Sequence, residues 1–133
     1  MKKLASVLLL LIFIMIGGSQ AKASEYDTPE MEGAVGKYKI VMSLKLNTST
    51  GKVSGWYYYK SKGPKNKIQL SGTIKGEPID MAQVLLTEKV NGQVTGNFDG
   101  EFWISAVGNM GYSGTWISPK GNTLEFEVDY FRR

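Results

Sequence analysis

The chain contains no cysteine and no histidine. The missing cysteine excludes a disulfide scaffold and the cysteine-linked lipid anchor of a bacterial lipoprotein. With histidine also absent, Ser–His and Cys–His nucleophilic pairs fall away, as do nearly all zinc and copper sites. No metal and no cofactor is therefore expected. Long apolar runs are scarce. Leu8 to Ile16 is nine residues long, too short for a bilayer that needs roughly 20. It follows Lys2 and Lys3, is broken by Gly17-Gly18, and leads to the small-x-small site Ala21-Lys22-Ala23. That order is the plan of a secretory signal peptide. It predicts a signal peptide over 1–23, cleavage after Ala23, and export to the periplasm or the outside of a bacterial cell. No membrane span is expected after its removal.

The formal charge of +4 misleads, because Lys2, Lys3 and Lys22 leave with the signal and leave 13 basic against 12 acidic residues. Those charges are segregated. Glu25, Asp27, Glu30 and Glu32 precede the first base, the stretch from Lys37 to Lys75 holds nine lysines and no acid, and Gly76 to Phe131 holds eight acids against Lys89 and Lys120. Neighbouring strand faces that pair loosely explain this more simply than a patch for an anionic partner. Near-neutral charge and export together argue against nucleic acid as a partner.

What the chain does have is aromatics and tight turns. Gly55-Trp56-Tyr57-Tyr58-Tyr59 is followed by a basic turn, Lys60 to Lys67, and by Ile68-Gln69-Leu70-Ser71-Gly72. Successive strand side chains point to opposite faces, so Trp56 and Tyr58 share one face and Tyr57 and Tyr59 the other. One pair enters the core and the other must be accommodated elsewhere. Ile68, Leu70 and Ile74 alternate with polar residues, which makes one face of this hairpin core.

Ser24 to Val35 is acidic, contains Pro29 and has no apolar period, so 24–35 reads as a flexible acidic leader. From Gly36 onward alternation is continuous, so 36–133 reads as a single domain. Tyr38, Ile40, Met42, Leu44 and Leu46 form one long strand. Met81 to Val90, rich in β-branched residues and set between turns, reads as a strand in preference to a helix. Asn91-Gly92 is a two-residue hairpin signal. Val94 to Phe98 and Glu101 to Val107 read as separate strands across Asp99-Gly100. Tyr112 to Ile117 and Leu124 to Tyr130 complete the pattern, with Trp116 expected in the core and Gly114 giving room for a neighbouring side chain. The fold class is all-β, an antiparallel up-and-down meander of seven to eight strands closed into a barrel, with a two-sheet β-sandwich as the alternative.

The order Gly55-x-Tyr57-Tyr58-Tyr59, Ile68-x-Leu70-x-Gly72, Leu86-x-Glu88, Gly92-x-x-Thr95-Gly96-x-Phe98-x-Gly100 and Gly114-x-Trp116 resembles small exported bacterial β-meander proteins, a mostly uncharacterised group. The Gly-x-Trp and Thr-Gly-x-Phe phrases are also similar to avidin-like and lipocalin-like barrels. The resemblance implies an architecture and no ligand, since no biotin-pocket constellation can be placed on these residues.

Three functions remain open. The first is a non-catalytic binding module with Tyr57 and Tyr59 as anchors, and Lys60, Lys62, Lys65 and Lys67 attracting anionic groups. Trp56 and Tyr58 are the alternative anchors. Its partner would be an envelope polymer, a carbohydrate or a protein. The second is a structural envelope protein with no ligand. The third is a carboxylate-based hydrolase, in which Glu88, between apolar neighbours, would work with Asp99 or Glu101.

Overall fold

The structure is a computed structural model that describes residues 25–132. The expected signal peptide and its cleavage site lie outside the described residues. Nine strands carry the fold: β1 (Glu25–Asp27), β2 (Met31–Val35), β3 (Tyr38–Asn47), β4 (Lys52–Tyr59), β5 (Ile68–Lys75), β6 (Ala82–Val90), β7 (Gln93–Ile104), β8 (Met110–Ile117) and β9 (Thr123–Tyr130). Among the described residues the one short helical turn is Pro78–Asp80, between β5 and β6.

Each strand from β2 to β9 pairs antiparallel with the next, and β9 returns to pair with β2 through Val35↔Phe126 and Glu32↔Asp129. The ring of eight strands is thus closed, as a meander that removes its own edges should be. The sandwich alternative does not survive this closure. The period-2 alternation explains which side faces in. Ile40, Met42, Leu44 and Leu46 of β3 are buried, while Lys39 just before them and Lys45 between Leu44 and Leu46 are exposed. Aromatic rings fill the interior. Tyr57 meets Phe98 at 5.3 Å between ring centroids, Phe98 meets Phe126 at 5.0 Å, and Phe126 meets Tyr112 at 4.7 Å, all edge to face. Such pairs add about 0.5–1.5 kcal/mol each beyond their buried area. The outer wall carries exposed charged residues such as Lys39, Lys45, Asp99 and Glu101 alongside partly exposed Trp56 and Tyr58.

Residues 25–35 are not a flexible leader. Met31 is 0% exposed and Val35 1%, and β2 is the strand that closes the ring between β3 and β9. Its inward positions are Met31, Gly33 and Val35, so only two apolar side chains mark it in the sequence. Thr28 bridges the Pro29 interruption before it. The Thr28 amide donates to the Leu44 carbonyl at 2.9 Å, and its hydroxyl accepts from the Leu44 amide at 2.9 Å. The ladder along β3 therefore continues from β2 to β1.

Asp99-Gly100 is not a turn either. β7 runs unbroken for 12 residues. Gly100 sits on its inner face, where a side chain would strike the Phe126 ring and the Ser113 backbone. The Asn91-Gly92 expectation holds: both residues have positive φ, 53° and 79°, as a type I′ hairpin turn requires. The region from Ala82 to Val90 is a strand, as its β-branched residues predict.

Candidate functional site: an outer aromatic wall and an inner carboxylate

The aromatic strand β4 splits its four rings between two environments. Tyr57 is wholly buried, and Tyr59 is half-buried beside it, with hydroxyls 3.4 Å apart. Tyr57 is therefore not an exposed anchor. It points inward because its ladder neighbours Met42 and Ile68 belong to the inward sets of β3 and β5. Burial first, and then the nearby Glu88 carboxylate, raise the Tyr57 phenol far above its ordinary range. Tyr59 is raised as well, chiefly by burial.

Inside this end of the barrel, Tyr57 meets Glu88. Glu88 is only 4% exposed. Its Oε1 accepts the Tyr57 hydroxyl and the Trp116 indole N–H, each at 2.7 Å, and its Oε2 accepts the Thr95 hydroxyl at 2.7 Å. Four strands meet at one carboxylate. Thr95 can reach it because the β6–β7 register slips at Glu88/Lys89. Trp116 can reach it because position 96 is glycine: a Cβ there would lie 2.5 Å from the indole nitrogen. Trp116 is partly buried and packs against the core, and it is Gly96 that makes room for its ring. At Gly114 a side chain would instead strike the backbone of Asp99.

Asp99 and Glu101 do not join Glu88. In β7 they alternate with the inward Phe98, Gly100 and Phe102 and stand exposed on the outer wall. A pair of facing carboxylates for glycoside cleavage is therefore not assembled around Glu88. Among the described residues no group of three histidine, cysteine or carboxylate side chains could hold a metal ion.

Trp56 and Tyr58 take the outer wall. Their rings are stacked at 5.9 Å with an interplanar angle of 15°, and the Lys67 ammonium lies over the indole, 4.2 Å from its centroid. Both side chains remain partly exposed. Their cross-strand neighbours are Ser43 and Gln69 for Trp56 and Val41 for Tyr58. A shallow groove of about 330 Å³ runs along this wall past Lys45, Ser43 and Ser54 to Trp56 and Gln69, with Asp27 at its rim.

No family model, curated protein or solved structure matches this chain. The chemistry of the site thus rests on these residues alone. Of the lysines expected at the site, Lys67 is the one that joins the outer rings. Lys60 is tied to Glu32 of β2 in an ion pair, and its ammonium holds the Glu32 carboxyl below the ordinary carboxylate range. Lys62 and Lys65 are exposed in the β4–β5 loop, which is pinned by Asn66 donating to the Lys62 carbonyl at 2.6 Å. Thr95 and Trp116, the partners of Glu88, were not singled out by sequence as polar contacts. The only signals for them are a Thr-Gly pair just after a hairpin turn and a Gly-x-Trp phrase.

Proposed function

We propose that this chain is an exported, non-catalytic binding module that takes its ligand on the outer wall of the barrel, at Trp56 and Tyr58. One observation carries the reading: two large aromatic side chains of one strand are turned away from a filled interior, onto a wall whose charged neighbours are lysines apart from Asp27 at its rim. Rings already held by stacking and by Lys67 lose little conformational entropy on binding. Export rests on the N-terminal pattern of basic residues, apolar run and small-residue site. The non-catalytic reading draws on Glu88, whose two oxygens are occupied by three donors within a packed interior. The resemblance to small exported β-meander proteins is consistent with this but names no ligand.

A structural role without a ligand draws on a different observation. Val41 points outward yet is only 4% exposed, and Tyr58 lies directly opposite it. On that reading the outer rings serve as a lid over Val41. Immobilised protein screened against soluble envelope polymers separates the two. Capture abolished by Trp56→Ala with Tyr58→Ala, at little change in the urea midpoint, supports a binding wall. Capture unaffected by the double substitution moves the ligand elsewhere, and no capture by the unsubstituted protein leaves the structural role.

A further inference from the structure

We infer that the ligand of this wall is an anionic polysaccharide, a chain of sugar rings carrying carboxylate or sulfate groups. The inference rests on the binding reading above and goes on to name the chemistry. The outer faces of β3 to β6 form one continuous surface. Across it the ladder sets Ser43, Trp56, Gln69 and Lys89 in one row, and Lys45, Ser54, Ser71 and Thr87 in the next. Lys39, Lys52 and Lys75 stand exposed around these rows. The stretch from Tyr38 to Lys75 contains no acid, and the one acid of β6, Glu88, is turned inside. Among the described residues the only ion pair is Lys60 with Glu32; Lys45 faces Asp27 of β1 across the ladder, and Lys52, Lys67 and Lys89 have no carboxylate in an ion pair.

Glu25 and Asp27 of β1 border the lysine side at Asn47 and Lys45, but the acids of β2, β7 and β9 stand together on the opposite wall. Asp99 and Glu101 of β7, Glu125 and Glu127 of β9 and Glu32 of β2 are exposed there, and Glu32 and Asp129 are direct cross-strand neighbours. Like charges placed opposite each other destabilise a sheet, so pairing across the sheet accounts for Asp27 with Lys45 and Lys60 with Glu32 but not for Glu32 opposite Asp129. A polyanion is attracted by one wall and repelled by the other, which confines it to the lysine side.

Within that side, the groups on offer favour a hydroxyl-rich chain. The Trp56 indole N–H and the Tyr58 hydroxyl have no protein partner among the described residues, and Gln69, Ser54 and Ser71 add exposed polar groups. The groove beside Trp56, at about 330 Å³, is at the small end of ligand sites. A polymer touching several shallow subsites suits it better than one compact molecule.

The test is titration calorimetry of the protein with polygalacturonate, hyaluronate and chondroitin sulfate. Methyl-esterified polygalacturonate serves as the uncharged control, and polyphosphate, a single-stranded oligonucleotide and anionic lipid vesicles as alternatives. At least one of the three glycans is expected to bind, and to weaken about tenfold or more between about 0.05 M and about 0.5 M NaCl. Esterification should weaken polygalacturonate by a similar factor. Lys67→Gln and Lys89→Gln should each cost about two- to fivefold, Lys89→Gln at an unchanged urea midpoint and Lys67→Gln at one only slightly lowered by loss of its contact with the indole, and Glu127→Gln, on the far wall, should not weaken binding. Equal binding of the ester overturns the anionic inference while the binding wall survives. Binding to polyphosphate, oligonucleotide or vesicles alone, or to none of the probes, overturns the polysaccharide. If glycan affinity is unchanged in Trp56→Ala with Tyr58→Ala, the wall itself is wrong and both readings fall.

Discussion

Replacing Glu88 by leucine should loosen the end of the barrel where four strands converge. The side chain is similar in size, so the perturbation is mainly polar. It leaves the Tyr57 hydroxyl, the Trp116 indole and the Thr95 hydroxyl without the acceptor that each now reaches at 2.7 Å. Tyr57 is wholly buried, and its hydroxyl has only one other polar contact, the Tyr59 hydroxyl at 3.4 Å. Its loss therefore counts in full, about 1–3 kcal/mol for a buried donor left unsatisfied. Trp116 and Thr95 are partly exposed, so water can replace the carboxylate there, and each loses about 1 kcal/mol. Against this stands the desolvation of a buried carboxylate that has no cation beside it, which leucine relieves. The balance is a loss of about 2–4 kcal/mol, read as a lower midpoint in urea unfolding followed by circular dichroism. The companion variant, Tyr57→Phe with Glu88→Leu, should recover part of that loss, because removing both partners of a buried hydrogen bond is nearly neutral. A Glu88→Leu protein as stable as the unsubstituted one, or a double variant whose losses simply add, would refute the view that this carboxylate holds the strands.

Three further outcomes follow from the same geometry. Tyr57 and Tyr112 are both raised above the ordinary 10.0, each first by burial, then by Glu88 and by Asp99 respectively. The folded state keeps protons that the unfolded chain releases, so stability is fully present below about pH 10 and falls above it, by up to about 1.4 kcal/mol per pH unit for each tyrosine. Tyr57→Phe should flatten that alkaline decline, and a decline that is the same in the variant contradicts it. Tyr57→Ala should cost about 3–5 kcal/mol as a core truncation, whereas Trp56→Ala or Tyr58→Ala should cost below about 2 kcal/mol, the value of ring stacking and a cation over a ring. Denaturant midpoints that reverse this order would put the wrong pair inside. A protein beginning at Gly36 lacks β2, leaving β3 and β9 with unpaired edges, and should lose cooperative unfolding or aggregate; an unchanged, sharp transition would mean that β2 is dispensable.

The barrel was legible because its strands alternate strictly and its turns carry glycine and asparagine. Ile40, Met42, Leu44 and Leu46 set the face of β3, and Asn91-Gly92 fixes a hairpin by the positive φ both residues adopt. β2 was hidden because it is five residues long with glycine at its central inward position and acids around it. Its burial comes from two partners distant in sequence, which no local period reports. Asp99-Gly100 imitated a turn, but Gly100 is small because the Phe126 ring and the β8 backbone occupy the space of its side chain. At the site, strand alternation separated the four aromatics into two pairs, but could not say which pair faced inward. That depends on which residues of β3 and β5 lie opposite them, and so on register. Glu88 stood out by its apolar neighbours, whereas the bulge that brings Thr95 to it is a matter of backbone register alone.

The binding wall is tested most directly by the indole N–H signals of the protein's three tryptophans, followed by NMR as the bound glycan is titrated in. Trp56 lies on the lysine wall, Trp103 lies near Phe131, and Trp116 donates to Glu88 inside the barrel end. The account predicts that the Trp56 signal shifts with the backbone amides of Lys67, Gln69 and Lys89, while Trp103 and Trp116 stay in place. A shift concentrated at Trp116 and Thr95 with Trp56 unmoved would place the ligand at the barrel mouth and contradict the outer wall as the site.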